Sequence, residues 1–509
     1  SVPVVAITGW AMVAMSNGTT LGGPAADGFF FAALNPGVLY GTPLAILSAC
    51  ALACAIRDRL PWFASLGAAF VQYLIALIIL LPELGTTVGW STGVAVSLVQ
   101  WSGCGLAGYA ILWLTLERWI EPGDSSSGSD AFQFQLFLST LAVTILAAWA
   151  FVAIFPTPHS VGSAAAVLGR WPSYIAAGLC LGALSWRFRP DRSLLSPLIV
   201  MVLCAFATLA AASADSFDPS NTWLSYHILT GTWLAIGLAA AAVCVWRASL
   251  SDGRSWVRTL SRSTTGLACA VSVLILRGCI ANDPMDPWWT AGMCAGQFIL
   301  FAALALQTRN QLFTYASVIT AVFGASVLWV HQIPLRRPDS LLNLVYCQLL
   351  VAAMTGILWL SVDVWFQMVR NQSFGNRFRV PPVHSVVAVI ALAMLSLIVI
   401  GGTAAATLAN MWSSGSGELL GTPWGIAALS GVGVLLGSML WDQRTLLAPV
   451  GLYAWGLVAL TMILNILEQY DHWGPDGTVV GACLLGAVYI ALTGHLWRWG
   501  ANLVQWATS

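Results

Sequence analysis

The sequence predicts an all-α, polytopic integral membrane protein with about sixteen transmembrane helices in two tandem, parallel halves of eight. Of the 509 residues, 58% are hydrophobic and only 8% are charged, with a mean hydropathy of +0.82. Such a chain has too little polar surface to cover a globule in water. Short clusters of charge separate apolar runs of roughly 20 residues, the length that an α-helix needs to cross a bilayer. The chain also resembles itself at a spacing of about 252 residues.

The apolar runs favour helices over the strands of a membrane barrel. Barrel strands alternate apolar and polar residues over roughly 10 positions, whereas residues 74–81 are continuously apolar. In chain order, the predicted helices are 2–16, 36–56, 60–82, 90–117, 132–155, 171–187, 193–213, 222–247, 263–281, 287–307, 311–331, 340–368, 383–409, 421–441, 445–467 and 477–498.

The sixteen helices group into four units of four, in which the helices are named A to D in chain order. Two units make one half, so we expect one half at 1–257 and the other at 258–509 within a single membrane domain. The chain starts at Ser1 and its first apolar run is short. We therefore expect it to be a segment of a longer protein.

Three stretches carry the internal repeat. The matched residues are Arg57 with Arg309, Leu60 with Leu312, Phe63 with Tyr315, Ala64 with Ala316, Ser65 with Ser317, Arg192 with Arg444, Leu194 with Leu446, Leu195 with Leu447, Pro197 with Pro449, and Trp246-Arg247 with Trp497-Arg498. The first and third units also share a D-helix end, Ile111 to Thr115 against Ile357 to Ser361. Because each unit has an even number of helices, successive units should enter the membrane in the same orientation.

Arginine placement predicts the orientation of the chain. Sixteen of the twenty arginines fall in the connections from B to C and from D to A, and the opposite side carries Arg170, Arg277, Arg336 and Arg337. By the positive-inside rule, the arginine-rich side is cytoplasmic. We expect a bacterial inner membrane protein with both termini in the cytoplasm.

Small residues spaced four apart occur in every predicted B helix. They permit close approach of helix backbones, which supplies van der Waals contact where lipid offers no hydrophobic driving force. We expect the B helices at the centre of the bundle, packed through Ala45, Ala49, Ala53, Gly178, Gly182, Gly292, Gly296, Gly433 and Gly437.

Charged groups are missing from the middle of the predicted spans, which argues against a buried proton relay or a voltage sensor. Neutral polar side chains remain near mid-depth, and they are Gln72, Gln100, Thr230, Thr232, Gln297 and Gln348. Such residues either bond neighbouring helices together or line a path for a polar substrate.

Pairs of carboxylates occur in equivalent outer loops of the two halves. Clustered carboxylate oxygens suit hard cations such as Ca²⁺ or Mg²⁺, and carboxylates before a helix also favour its N-terminus without any ligand. The acidic candidates are Asp215, Asp218, Asp283, Asp286, Glu468 and Asp471.

No cofactor is expected. The eleven cysteines lack any C-x-x-C pair and are typical of small core residues, and phosphate-binding loops and nucleophile elbows are absent from the sequence. Net charge is zero, so no nucleic-acid partner is indicated. The expected partners are the lipid bilayer and other membrane subunits.

Three functions fit this pattern. The first is a transporter or lipid-handling permease that uses a cavity between the two repeated halves. The second is a non-transporting membrane anchor, sensor or complex subunit, which the scarcity of charge at mid-membrane favours. The third is an outer-face glycosyl- or phospho-transferase built on the acidic loops, which short outer loops disfavour. Enzymatic activity is therefore not the expected function.

Overall fold

The computed structural model describes eleven helices and a few isolated residues of the chain. The described residues are 36–58, 61–84, 92–120, 129–154, 168–188, 192–214, 223–248, 254–281, 283–308, 310–332 and 338–369, with residues 6, 9, 10, 13, 424, 427, 428, 430, 431 and 434. The helices are α1 (Pro36–Asp58), α2 (Pro61–Leu84), α3 (Thr92–Ile120), α4 (Ser129–Ile154), α5 (Trp171–Arg187), α6 (Arg192–Ala214), α7 (Leu224–Ala248), α8 (Arg254–Ile280), α9 (Trp288–Thr308), α10 (Gln311–Gln332) and α11 (Pro338–Val369).

The all-helical, multi-pass prediction is confirmed for these residues. Over the described ranges the chain forms helices and short turns and no strand, and nine of the helices are long and apolar enough to cross a membrane. These nine are α1 to α4 and α6 to α10. The apolar core of α11 is shorter, Asn343–Trp359, and α5 has 17 residues.

Eleven of the sixteen predicted helices correspond to α1–α11. Predicted helices 2–16 and 421–441 are described at a few isolated positions, all of them helical. Predicted helices 383–409, 445–467 and 477–498 lie outside the described residues. The count of sixteen thus stays a prediction.

The boundaries of ten helices agree with the predicted ones to within three residues, and several begin where the sequence offers a starting signal. Helices α1, α2 and α11 each begin at a proline, Pro36, Pro61 and Pro338. Proline suits the first turn because its missing N–H would have no partner there in any case. In α5, Pro172 occupies the same kind of position.

The predicted start of α8 was wrong. The sequence indicated a helix from residue 263, but α8 begins nine residues earlier, at Arg254. The extra segment contains Arg254, Arg258 and Arg262. Because these residues are charged, hydropathy alone predicts a loop here. Their spacing of four nevertheless places them along one side of a helix, while Trp256, Val257 and Leu260 fall on other sides.

The chain divides into two compact bodies. The N-terminal body comprises Ser1–Ile236 and Ser255–Thr264, and the C-terminal body comprises Gly237–Arg254 and Thr265–Ser509.

In the N-terminal body, α3 packs against α2, α4 and α5. Helix α4 also packs against α2, α5 and α6. Gly103 lies where α3, α4 and α5 meet, because a Cβ built there would lie 3.3 Å from the Cβ of Ala176 on α5 and 3.5 Å from that of Ala142 on α4. The core around it includes the fully buried Ala107 and Cys180.

In the C-terminal body, α9 packs against α10 and α10 packs against α11. Gly324 of α10 lies close to α9, since a Cβ built on it would lie 2.8 Å from the Cβ of Cys294. Trp359 of α11 is buried and packs with Ala305 of α9, joining the three helices.

Candidate functional site

Gln100 lies in a buried polar contact between α3 and α5. Its side chain is 1% exposed, and Nε2 donates to the hydroxyl of Ser173 at 2.8 Å. That hydroxyl donates onward to the carbonyl of Leu168 at 2.7 Å. One turn along α3, the thiol of Cys104 donates to the carbonyl of Pro172 at 3.2 Å. These bonds fix the N-terminal end of α5 against α3.

Gln72 contacts a different side of α3. Its Nε2 donates to the carbonyl of Ser102 at 3.3 Å, and a Cβ built on Gly105 would lie 3.1 Å from the same nitrogen. Successive helix residues are rotated by about 100°, so Gln100 and Ser102 project about 200° apart. The structure therefore does not bring Gln72 and Gln100 to one face.

The two candidate threonines of α7 bond to their own helix. Thr230 Oγ1 donates to the carbonyl of Tyr226 at 2.9 Å, and Thr232 Oγ1 donates to that of Ile228 at 2.6 Å. Thr230 is fully buried and Thr232 is half-buried. Such bonds satisfy a hydroxyl within one turn of a helix and need no second helix.

In the side-chain amide of Gln297 on α9, the nitrogen forms hydrogen bonds and the oxygen does not. Nε2 donates to the carbonyl of Ala268 at 2.6 Å and to the hydroxyl of Ser272 at 3.0 Å, both on α8. The side chain is fully buried, and Oε1 has no hydrogen-bond partner among the residues that the structure describes. A buried amide oxygen without a donor is costly.

Gln348 resembles Gln72 in its setting. It lies on α11 and its Nε2 donates to the hydroxyl of Ser326 on α10 at 3.0 Å. The side chain is partly buried. The bond links two helices that are neighbours in the C-terminal body.

One acidic pair is described, and its oxygens bond within the chain. Asp283 is 5% exposed, and its Oδ1 accepts from the backbone N–H of Met285 at 2.9 Å. The Oδ1 of Asp286 accepts from the hydroxyl of Thr290 in the first turn of α9. Both contacts order the turn that leads into α9. Asp215, Asp218, Glu468 and Asp471 lie outside the described residues.

Metal ligands do not cluster within the described ranges, where no group of three His, Cys, Asp or Glu side chains converges.

The small-residue faces of three predicted B helices, α1, α5 and α9, are largely exposed. Gly178, Gly182 and Gly292 are exposed, and Gly296 is half-exposed. A Cβ built on Gly178 or Gly292 would meet no atom within 4 Å. On α1, the corresponding Ala45, Ala49 and Ala53 are exposed as well. The close approaches occur at other glycines, Gly103 and Gly324 among them, while Gly433 and Gly437 lie outside the described residues.

Two polar residues that the sequence reading did not select lie in the core of the N-terminal body. Gln135 and Ser139 stand one turn apart on α4, 4% and 0% exposed, and Gln135 Oε1 has no partner within the described ranges. Their spacing of four on an apolar helix is the signal that could have found them.

Comparison with protein-family models, with curated proteins and with solved structures finds no match to this chain. The assignment of function therefore depends on the geometry above.

Proposed function

We propose that this protein is a multi-pass permease of the bacterial inner membrane, built from two repeated halves, that moves a polar or lipid-derived substrate. The observation that carries the proposal is the buried, unpartnered amide oxygen of Gln297. A group in this state is expensive in an apolar bundle unless it receives a donor. A hydroxyl or amine of a passing substrate would supply that donor.

The repeat is supported by matching helices. Shifted by 252 positions, α1 and α2 cover nearly the same ranges as α9 and α10. The close contacts within the two hairpins also correspond. A Cβ on Gly41 would lie 2.8 Å from Leu74 Cδ1, and a Cβ on Gly324 would lie 2.8 Å from Cys294 Cβ. After the shift, Gly41 falls one residue from Cys294, and Leu74 falls two residues from Gly324. Two unrelated helix pairs would have no reason to make contact at the same level.

The third helix of each set extends the correspondence. The shared D-helix ends, Ile111 and Ile357, stand 246 positions apart, and at that spacing Gln348 corresponds to Ser102. At the shift of 252 positions that relates α2 and α10, Ser326 corresponds to Leu74, two residues from Gln72. In each set, one glutamine amide therefore bonds the C helix to the D helix at the same level. Gln72 of α2 donates to the carbonyl of Ser102, and Gln348 of α11 donates to the hydroxyl of Ser326. This agreement supports a duplicated scaffold of the kind that many transporters use.

A non-transporting scaffold or complex subunit is the second candidate, and a specific observation favours it. The amides of Gln72, Gln100 and Gln348 all donate to neighbouring helices of the same chain. Bonds of this type hold membrane helices together without any substrate. Under this candidate, Gln297 likewise serves only to hold α9 against α8 through its hydrogen bonds.

Transport into proteoliposomes separates the two candidates. Purified protein in vesicles is incubated with a mixed extract of small metabolites and lipids, and the contents of the vesicles are identified by mass spectrometry. We expect at least one solute to accumulate with the wild type and to be lost with Gln297→Leu. The variant removes the amide that donates to Ala268 O and Ser272 Oγ, but these two atoms still bond to each other at 3.0 Å. The melting temperature should therefore stay unchanged.

The matched control is Thr264→Val on α8, which removes a buried hydroxyl that donates within its own helix to Leu260 O. Its uptake should equal that of the wild type. Uptake that Gln297→Leu leaves intact would remove the observation on which the permease rests. A lowered melting temperature in Gln297→Leu without any transported solute would favour the scaffold.

A further inference from the structure

The extended N-terminal part of α8 carries an exposed pair of arginines. Arg258 and Arg262 are both exposed and stand four residues apart on one continuous helix. Side chains with this spacing are neighbours on a helix surface, with Cβ atoms about 6 Å apart. Within the described ranges neither arginine forms an ion pair.

The same side of α8 stays exposed along the rest of the helix. Every third or fourth residue after Arg262 is exposed, and these residues are Gly266, Cys269, Val273, Leu276 and Ile280. Val273, Leu276 and Ile280 are 56%, 49% and 81% exposed. In a helix that is apolar enough to cross a membrane over Trp256–Ile280, such a face is turned to lipid.

The length of α8 places both arginines at the level of the lipid headgroups. The apolar stretch Trp256–Ile280 has 25 residues, so at 1.5 Å per residue it is about 37 Å long, and the hydrocarbon layer is about 30 Å thick. Arg262 lies about 27 Å from Ile280 along the axis, close to the edge of the hydrocarbon. Arg258 lies one turn further out, and both long side chains can extend toward the headgroups.

From this placement we propose that Arg258 and Arg262 form a binding site for the phosphate of an anionic phospholipid. A guanidinium group presents paired N–H donors that match phosphate oxygens, and it is weakly hydrated enough to bind them at an interface. Two guanidinium groups one turn apart can contact one phosphate from two sides. The site does not depend on whether the protein transports a solute.

Native mass spectrometry of the full chain in detergent tests the site. The purified protein is titrated with phosphatidylglycerol, and in separate arms with phosphatidylcholine and with inorganic phosphate. We expect tight binding of phosphatidylglycerol, weaker binding of phosphatidylcholine, and no displacement of bound lipid by millimolar phosphate. Each arginine near an anionic surface contributes about five-fold in affinity, so R258Q and R262Q should each lose about five-fold, and the double variant R258Q/R262Q should lose more than ten-fold.

The control is the double variant R170Q/R187Q, which removes two arginines from the ends of α5 and changes the net charge equally. Its affinity for phosphatidylglycerol should equal that of the wild type. An equal loss in this control would mean that the lipid responds to overall charge, and would overturn the site. Unchanged affinity in the single variants, equally tight phosphatidylcholine or displacement by inorganic phosphate would overturn it as well. The single variants decide the outcome if the double variant does not fold.

Discussion

At the scale of single residues, the polar side chains of this protein act mainly through hydrogen bonds to neighbouring helices. Gln100 illustrates this, because its amide, the Ser173 hydroxyl and the Leu168 carbonyl form a chain of two bonds inside an apolar core. A bilayer offers no water to replace a lost partner. Measured side-chain hydrogen bonds between membrane helices nevertheless average only about 0.6 kcal/mol, with the strongest near 1.7 kcal/mol.

A double-mutant cycle on Gln100 and Ser173 measures this bond. We expect Gln100→Leu and Ser173→Ala each to lower the free energy of unfolding by about 1 kcal/mol, and the double variant to lose less than the sum of the two. The coupling energy should be about 1 kcal/mol. Reversible unfolding in mixed micelles, followed by circular dichroism, provides the values. Strict additivity would show that the Gln100–Ser173 bond contributes nothing to stability.

The partners of these residues could not be predicted from the sequence. Hydropathy predicted that Gln72, Gln100, Gln297 and Gln348 lie at mid-depth, because each falls in the middle of a long apolar run. Which helix each amide meets depends on the register between helices, and the sequence of one helix does not contain that register. One consequence is that Gln72 of α2 bonds to α3 on the side nearly opposite to Gln100.

At the scale of helices, some glycines lie where helices pack closely and others do not. Gly103 sits where α3, α4 and α5 meet, with two alanine Cβ atoms within 3.5 Å of a Cβ built there. Gly178 on α5 faces open space. Spacing alone predicted close contact at Gly178 and Gly182, and only at Gly182 would a Cβ meet a neighbour, Ile111 Cδ1 at 3.8 Å. Spacing gives the side of the helix on which small residues lie. It does not say which neighbour, if any, covers that side.

Gly103→Val and Gly178→Val should therefore differ in their effect. Valine at position 103 must displace Ala142 and Ala176, and overpacking of this kind costs about 1–3 kcal/mol. A Cβ at position 178 meets no atom within 4 Å, and helix propensity changes equally in both variants. We expect a lower melting temperature for Gly103→Val alone, measured by differential scanning fluorimetry in detergent. Equal destabilisation by both variants would contradict the packing described for α3.

The boundaries of α8 show what hydropathy misses at this scale. The run of apolar residues indicated the membrane-crossing part from residue 263, and the structure extends the helix to Arg254. Arginine is a good helix former, so a charged segment can remain helical where it leaves the hydrocarbon. A reading that followed the 3.6-residue period rather than mean hydropathy would have placed the start earlier.

At the scale of the whole molecule, composition is enough to predict the class of protein. Apolar runs of spanning length recur along the chain, and nine described helices have the length and apolarity to cross a membrane. The order of helices follows from the chain directly. Their arrangement around each other does not, because lipid-facing and protein-facing sides of such helices are both apolar.

The arginine distribution predicts a topology that reporter fusions can test. The stretch around residue 190 contains Arg187, Arg189 and Arg192, and the stretch around residue 217 contains Asp215 and Asp218. Since basic connections stay in the cytoplasm, a green fluorescent protein fused after residue 190 should fluoresce, and alkaline phosphatase fused after residue 217 should be active. Helix α6, whose apolar part Leu195–Ala214 has 20 residues, separates these two points and is long enough to carry the chain across.

The connections that the predicted repeat makes equivalent provide the internal control. Fusions after residues 442 and 469, shifted by 252 positions, should repeat the two results if the halves are parallel. Reversed results in the second half would mean that the repeat is inverted and that an odd number of helices separates the two halves. If the fusions after residues 190 and 217 reported the same compartment, α6 would not cross the membrane, and the assignment of both termini to the cytoplasm would fail with it.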